Sequence, residues 1–158
     1  MTVAVRQTPA TAPARSGGET LAGCPFHSLR ARLAGAGLRP TRQRVALGWL
    51  LFGKGHRHVT AERLYDEASA GRVNLSMATV YNTLHQFTQA GLLREIALDG
   101  SKTWFDTNTS RHHHFLIEGE NELVDIPGDM VEIARLPPLP DGLEIIDVDV
   151  VVRVRRKA

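Results

Sequence analysis

Three consecutive histidines, His112, His113 and His114, form the densest group of potential metal ligands in this chain of 158 residues. If they enter a β-strand, successive side chains point to opposite faces, so His112 and His114 share one face and His113 lies on the other. Imidazole nitrogens bind zinc, ferrous iron and haem iron. The alternative is a solvated turn that is rich in histidine. We favour a metal or haem site at these histidines.

The only cysteine of the chain, Cys24, is followed directly by Pro25. A cysteine thiolate is a strong axial ligand to haem iron, and the proline stiffens the backbone on its C-terminal side. A Cys-Pro pair is also common by chance. The hypothesis is a second haem ligand at Cys24, and a single cysteine excludes an intrachain disulfide.

A stretch near the middle of the chain has the pattern of a DNA-recognition helix. Ser76 is a good N-cap, and Gly91 ends the helix. Apolar side chains recur at helical spacing on one face, at Met77, Val80, Leu84 and Phe87. Uncharged polar side chains, suited to base edges in a major groove, lie on the opposite face at Thr79, Asn82, Gln86 and Gln89. Tyr81 belongs to the same predicted DNA-binding set.

A β-hairpin is predicted after this helix, from residues 92–98 and 101–106 around the turn Asp99-Gly100. A helix followed by a hairpin is the winged variant of the helix-turn-helix, and Lys102 beside the turn could contact a phosphate. The alternative is an amphipathic helix that packs on a hairpin without any role in DNA binding.

Basic residues are concentrated in the first part of the chain. Residues 1–110 contain 13 Lys and Arg against 7 Asp and Glu, a charge of +6, and residues 111–158 contain 6 against 10, a charge of −4. The first part therefore suits a polyanion and the second part another task. Arg39, Arg42 and Arg44 are candidate phosphate contacts, and Arg39 could also reach a minor groove. Solvated surface charges are the alternative for each.

The whole pattern predicts an α+β protein with an N-terminal winged helix-turn-helix DNA-binding domain followed by a small α/β dimerisation domain. We expect a disordered tail over residues 1–22, the winged-helix domain with its Cys-Pro segment over 23–108, and a dimerisation and metal- or haem-sensing domain over 109–158. The first domain also has helices around Leu29 and Leu33, over 42–52 after a Thr41 cap, and from a Thr60 cap to about Ala70. Strands are expected at 113–117, 123–126 and 144–155, with a short helix at 127–134.

The second domain is too small to fold alone, and an alternating strand ending at 155 would leave a sticky edge. Pairing with a second copy solves both problems, so we expect a homodimer on palindromic DNA. The sequence has no apolar run of membrane-spanning length and no signal peptide, which predicts a cytoplasmic protein without a membrane partner. No nucleophile–base pair or cofactor loop suggests an enzyme.

The combined motifs resemble the ferric uptake regulator (Fur) superfamily. The resemblance covers nearly all of residues 29–155 and is carried by residues 37–44 (GLRPTRQR), 58–65 (HVTAERLY), 78–84 (ATVYNTL) and 105–108 (FDTN). Within the superfamily the chain looks most like the iron response regulator (Irr) branch of alphaproteobacteria. The features that indicate this branch are Tyr81-Asn82, the cysteine-free residues 111–126 and Gly23-Cys24-Pro25.

The resemblance implies an interdomain metal site for zinc, iron or manganese at His58, Asp106, His114 and Asp125. The family's structural zinc site is expected to be absent, because Ile117 and Glu120 replace its Cys-x-x-Cys pair. Its C-terminal sensory site is also expected to be lost. His113 and Glu132 align with that site, but Arg111 and Val148 take the other ligand positions. Asn82 replaces the usual arginine after the helix tyrosine, which implies a different operator.

The function implied by the resemblance is a transcriptional regulator of iron homeostasis and haem biosynthesis that responds to haem as a signal of iron status. Its expected partners are AT-rich palindromic double-stranded DNA, a second copy of the chain, and haem, which ferrochelatase could deliver. Haem would bind at Cys24 and at His112, His113 and His114. The alternative is a haem- or metal-binding storage or trafficking protein with an incidental winged helix.

Overall fold

The computed structural model describes residues 25–98, 102–120 and 122–157. Cys24 and the tail predicted for residues 1–22 lie outside the described residues. None of the described helices is long and apolar enough to cross a membrane. In chain order the elements are helices α1 (Pro25–Gly35) and α2 (Arg42–Phe52), strand β1 (His58–Thr60), helices α3 (Ala61–Ala70) and α4 (Met77–Gln89), and strands β2 (Arg94–Leu98), β3 (Lys102–Asp106), β4 (His112–Ile117), β5 (Glu122–Pro127) and β6 (Val151–Val154).

The helix N-termini form where the sequence provides a hydroxyl cap. The side chains of Thr41, Thr60 and Ser76 accept hydrogen bonds from the backbone N–H groups of Arg44, Arg63 and Thr79, respectively. Each cap satisfies an amide that the helix itself leaves without a partner. All three predicted caps are therefore confirmed.

The core of the N-terminal part joins all four helices to the first sheet. Its fully buried side chains include Leu33, Leu47, Leu51, Val59, Leu64, Val80, Leu84, Phe87 and Phe105. Each large apolar side chain removed from water stabilises the fold by about 1.5–3 kcal/mol. This packing fixes α4 against α3 and leaves its polar face outward, as predicted for the recognition helix.

The first sheet is the wing, and its antiparallel strand order is β1-β3-β2. The predicted hairpin is present, but Leu98 pairs with Lys102, so three residues (99–101) rather than two connect its strands. Those three residues lie outside the described ones. Strand β1 was not predicted, because three residues between a glycine-rich loop and a helix cap carry too little periodicity to show a strand.

The second sheet has the order β5-β4-β6, with β4 antiparallel to β5 and parallel to β6. The long strand predicted for 144–155 is wrong in extent. Only residues 151–154 are in β6, because residues 143–146 are exposed and residues 147–150 contact Arg94 and β4 mainly through side chains, and Ile146 is 94% exposed. The helix predicted for 127–134 is also wrong. A single 3₁₀ turn forms at Gly128–Met130, and the largely exposed residues that follow have no packing to stabilise a helix.

The two sheets meet along a small apolar contact. Ile96 and Trp104 of the wing are buried with Leu123 of β5. Arg94 of β2 reinforces this contact, because its guanidinium donates to the carbonyl of His112 at 3.2 Å and pairs with Asp147 and Asp149. The junction therefore brings the ends of β1 and β3 against β4 and β5. The observed architecture confirms the predicted α+β class.

Candidate metal centre and nucleic-acid face

Five side chains from four strands converge at the junction between the two sheets. They are His58 of β1, Asp106 of β3, His112 and His114 of β4, and Asp125 of β5, and one potential ligand atom from each lies within 4.8 Å of all the others. Strand pairing explains the convergence, since His58 is opposite Asp106 and His114 is opposite Asp125. His112 joins them because alternate residues of a strand point to the same face.

The imidazole nitrogens surround one oxygen of each carboxylate. Asp106 Oδ2 lies 2.8 Å from His112 Nε2, 3.4 Å from His114 Nε2 and 3.5 Å from His58 Nε2. Asp125 Oδ1 lies 2.8 Å from His58 Nε2, 3.5 Å from His112 Nε2 and 3.9 Å from His114 Nε2. Three imidazole nitrogens and two carboxylate oxygens therefore face one small volume.

Several of these atoms have no hydrogen bond despite their burial. His58 Nε2, His112 Nε2 and Asp125 Oδ1 are buried and make none within the part of the chain that the structure describes. The other ring nitrogen of His112, Nδ1, lies 2.8 Å from the carbonyl of Ser110, which leaves Nε2 with a free lone pair when Nδ1 carries the proton. Burying a polar atom without a partner costs free energy, and a bound cation would provide that partner for all three atoms. The set of nitrogen and oxygen atoms therefore fits a divalent cation.

The ionisation of the centre also favours a cation. Burial acts to raise the pKa of Asp106, but the imidazoles of His114 and His58 beside it outweigh this effect and hold that pKa well below its usual range. Burial acts to lower the pKa of His58, but Asp106 and Asp125 outweigh it and raise that pKa. The two carboxylates therefore attract positive charge to the space between the imidazoles. A divalent cation there would supply more positive charge than a proton does. Such a donor set suits zinc, or iron and manganese with additional ligands.

All four predicted metal ligands come together, and His112 joins them although the sequence analysis assigned it only to haem. His113 lies on the other face of β4, where its Nδ1 accepts a hydrogen bond from the backbone N–H of Val150 at 3.3 Å. Its burial lowers the pKa of the ring. The three histidines therefore do not share one site, which the alternation along a strand could have indicated. Among the described residues, the grouping of five is the only cluster able to hold a metal.

The exposed face of α4 has the character expected of a nucleic-acid surface. Asn82 is exposed, and Thr79 and Tyr81 are partly exposed beside it. The hydroxyl of Tyr81 donates to Glu62 Oε1 at 2.6 Å, and this bond lowers the pKa of Glu62 and raises that of Tyr81. Lys102 of the wing also acts to lower the pKa of Glu62.

The predicted arginines are not equivalent. Arg39 and Arg42 are exposed, whereas Arg44 is partly buried. Its Nε and Nη2 donate to Gln86 Oε1 at 3.1 and 2.9 Å, and its Nη1 donates to the carbonyl of Arg39 at 2.9 Å. Arg44 thus connects α2 to α4, the predicted recognition helix, and Gln86 is engaged in the same contact.

The wing and the second sheet share one group of histidines and carboxylates. This arrangement is typical of DNA-binding regulators that have a metal site. Residues 35–151 match the ferric uptake regulator family. The chain belongs to this family, whose members are transcription regulators and not enzymes.

Known proteins of this family resemble the chain in sequence and in fold. The peroxide-responsive repressor PerR of Staphylococcus aureus (strain Mu50) is 37% identical over 107 residues, which cover 67% of this chain and 72% of PerR. The manganese-containing ferric uptake regulator of Pseudomonas aeruginosa is 27% identical with a TM-score of 0.60, over 82% of this chain and 98% of that one. The iron-containing regulator of Francisella tularensis is 25% identical with a TM-score of 0.59, over 77% and 93%.

Proposed function

We propose that this protein is a homodimeric transcriptional regulator whose binding to AT-rich palindromic DNA depends on a divalent cation held by His58, Asp106, His112, His114 and Asp125. The observation that carries the proposal is the position of the centre. Two of the ligands belong to the wing sheet and three to the second sheet. A cation there would join the DNA-binding part to the remainder of the molecule.

The expected consequence is a link between metal occupancy and the orientation of the wing. Binding a cation only in the closed arrangement stabilises that arrangement by about 2.7 kcal/mol at a free concentration one hundred times the dissociation constant. If DNA requires the same arrangement, metal and DNA increase each other's affinity by the same factor. The related regulators described with manganese and with iron support these metals as candidates, and the donor set equally supports zinc.

Two neighbouring buried histidines provide a matched test of this centre. His112→Ala removes a ligand, and we expect it to weaken metal binding about tenfold or more and to lower the thermal midpoint of the metal-loaded protein. His113→Ala changes a histidine of the same strand outside the cluster and should leave the metal affinity within about twofold of the parent. Chelator competition and gel-shift titrations with added metal measure both effects. Equal metal affinity in the two variants would contradict the centre.

We propose further that the signal is haem, as in the Irr branch, and that the regulated genes concern iron homeostasis and haem biosynthesis. Cys24 would supply a thiolate, and haem could be delivered by ferrochelatase. One observation supports a site near the N-terminus of α1. A cavity of about 270 Å³ lies between α1 and α2 and is lined by apolar and aromatic side chains beside the guanidinium of Arg32. Aromatic surface and a cation suit a porphyrin ring with its propionates.

The proposed haem site at His112, His113 and His114 differs from the one near α1, because these histidines are buried. His112 and His114 are only 3% and 1% exposed and face the five-ligand centre, while His113 is buried on the other side. The described arrangement has no room for a porphyrin there. Haem would therefore gain access only when the ligands separate, so metal and haem should exclude each other at this position.

Spectroscopic titration of haem separates the two sites. Cys24→Ala should remove a thiolate-type ferric spectrum and leave ferrous haem binding largely intact. Replacing His112, His113 and His114 together should have the opposite effect and also reduce the loss of DNA binding on adding haem. Prior loading with zinc should inhibit only the histidine-dependent binding. An unchanged ferric spectrum in the Cys24 variant would show that the Cys-Pro pair is not a haem ligand.

A further inference from the structure

The loop between β3 and β4 makes a chain of hydrogen bonds behind the five-ligand centre, and Asn108 lies at its middle. The backbone N–H of Asn108 donates to Asp106 Oδ1 at 2.8 Å. Its side-chain amide Nδ2 donates to Asp125 Oδ2 at 3.1 Å. One residue therefore binds the outward oxygen of both carboxylates, while the inward oxygens face the imidazoles.

The orientation of the Asn108 amide is itself fixed. Its Oδ1 accepts hydrogen bonds from the backbone N–H of Ser110 at 3.2 Å and from the Ser110 hydroxyl at 2.6 Å. With Oδ1 occupied by two donors, Nδ2 must point toward Asp125. The carbonyl of Ser110 lies 2.8 Å from His112 Nδ1. Residues 108–110 thus orient three of the five ligands: Asp106, Asp125 and His112.

We infer that Asn108 is a positioning residue that sets the metal preference of the centre by holding both carboxylates in monodentate orientation. This inference rests on the proposed metal centre. A carboxylate whose second oxygen is already hydrogen-bonded offers one oxygen to a cation. The protein then supplies five donor atoms at most: three nitrogens and two oxygens.

The limit on donor number determines which cation is favoured. Zinc prefers four or five ligands and binds imidazole well, whereas manganese prefers six ligands and oxygen donors. Without the amide, Asp125 can turn and offer both oxygens, which brings the number of donors to six. Asp106 keeps its backbone hydrogen bond whatever the side chain at position 108, so the amide acts on Asp125 specifically.

The test compares Asn108→Ala with Thr109→Ala, a change at the next residue of the same loop. The Thr109 side chain is exposed and takes no part in the hydrogen bonds described above. Zinc and manganese affinities are measured by chelator competition on the full chain. Asn108→Ala should weaken zinc binding about tenfold, as is usual for a partner behind a metal ligand, and should weaken manganese less. The ratio of the two affinities should therefore shift toward manganese, while Thr109→Ala keeps the parental ratio.

A cobalt spectrum provides a readout that a merely structural role would not change. The d–d absorption of bound Co²⁺ weakens as its coordination number rises, so the Asn108→Ala spectrum should be less intense than those of the parent and Thr109→Ala. Ser110→Ala removes only the hydroxyl that holds the amide, and a smaller shift in the same direction is expected. This second variant keeps the test valid if Asn108→Ala folds poorly.

The possible failures are distinguishable. If the parent and Asn108→Ala show the same zinc-to-manganese ratio and the same cobalt spectrum, the role of Asn108 is overturned and the centre stands. If the parent itself binds none of these metals, the proposed centre is overturned together with the inference.

Discussion

Asn82 is the residue of the recognition helix on which sequence discrimination is expected to depend most. It is exposed in the first half of α4, where its amide can both donate and accept hydrogen bonds. An asparagine amide can make paired hydrogen bonds with the edge of an adenine in the major groove. Arg39 precedes α2 and is also exposed, but a guanidinium contacts phosphates or a narrow minor groove largely without regard to sequence.

Substituting Asn82 and substituting Arg39 should therefore affect DNA binding in different ways. Asn82→Ala should change the preference among operator variants by about 1–3 kcal/mol at the contacted base pair. Arg39→Ala should weaken binding to all AT-rich sites by a similar factor. Binding titrations over a panel of operator variants at one fixed salt concentration compare the two. An equal loss on every sequence in the Asn82 variant would contradict its role in base recognition.

At the scale of elements, one arginine holds the segment that places His58. The backbone N–H of Arg57 donates to Thr107 Oγ1 at 2.8 Å, and the N–H of Thr107 donates to the carbonyl of Arg57 at 3.1 Å. The guanidinium donates to the carbonyl of Leu50 at 3.0 Å and to Glu67 Oε2 at 2.8 Å. These contacts join α2, α3 and the end of β3 next to His58, the first candidate metal ligand.

The pH dependence of the free energy of unfolding should reveal the ion pair between Arg57 and Glu67. The hydrogen bond from Arg57 lowers the pKa of Glu67, so its contribution is complete above the ordinary pKa of a glutamate and is lost as the pH falls through the lowered value. Glu67→Gln should reduce the free energy of unfolding by about 1 kcal/mol at neutral pH, since the amide keeps one acceptor oxygen but loses the charge and the second acceptor that pair with Arg57. The difference from the parent should begin to shrink below about pH 4.3, the ordinary pKa of a glutamate, and should disappear once the pH has fallen through the lowered pKa of Glu67.

Denaturant unfolding of the metal-free protein at several pH values measures this effect. Asp66→Asn is the matched control, because it removes one negative charge from an exposed neighbour on α3. Its free energy of unfolding should stay within about 0.5 kcal/mol of the parent, as is usual for surface substitutions. A difference between Glu67→Gln and the parent that persisted unchanged at low pH would contradict the assignment to the ion pair.

At the scale of the whole molecule, an apolar segment (residues 130–146) remains uncovered in the single chain. Its largest exposed side chains are Met130, Ile133, Leu136, Leu139, Leu143, Ile145 and Ile146. Apolar surface of this extent marks an interface with another protein. A second copy is the expected partner, since it would also protect the second sheet and present two recognition helices to a palindrome.

A charge within this segment should therefore separate the subunits. Ile146→Asp is expected to weaken dimerisation at least about tenfold, because it places an ionised carboxylate in an apolar interface. Operator affinity should fall with it, since each monomer reads only half of the site. Ser69→Asp adds the same charge at an exposed position of α3 and serves as the control. Sedimentation velocity and gel shifts measure both quantities, and a fully dimeric Ile146→Asp variant would contradict this interface.

Much of the architecture was predictable from local patterns in the sequence. Thr41, Thr60 and Ser76 could be assigned as helix caps, because a cap needs only a hydroxyl immediately before a helical run. The apolar stripe from Met77 to Phe87 likewise predicted α4 and its polar face. The sequence resemblance to a family supplied four of the candidate metal ligands, and the structure brings those four together.

The elements that the sequence analysis predicted wrongly are those whose stability depends on partners far away in the chain. β1 forms because β3 offers it a hydrogen-bonded edge, and His58 reaches the centre only through that pairing. The alternating residues 144–150 form no strand, since the register of β4 with this segment begins at the pair His114 and Val151, with a single backbone hydrogen bond from His114 to Val150 before it. Strand propensity expresses a preference for a pleated surface, and the surface itself must be provided by the rest of the fold.

The amino-acid sequence alone determined which chemical groups are present: a helix with a polar face, a basic first part, and histidines and carboxylates suited to a cation. Only the tertiary structure decided which of these groups lie together. It placed His112 with the candidate metal ligands and His113 on the opposite face of β4. It also paired Arg44 with Gln86 and hydrogen-bonded Asn108 to both carboxylates. The physical reason is that ligand geometry depends on strand register and on hydrogen bonds between segments far apart in the chain, and local periodicity contains neither.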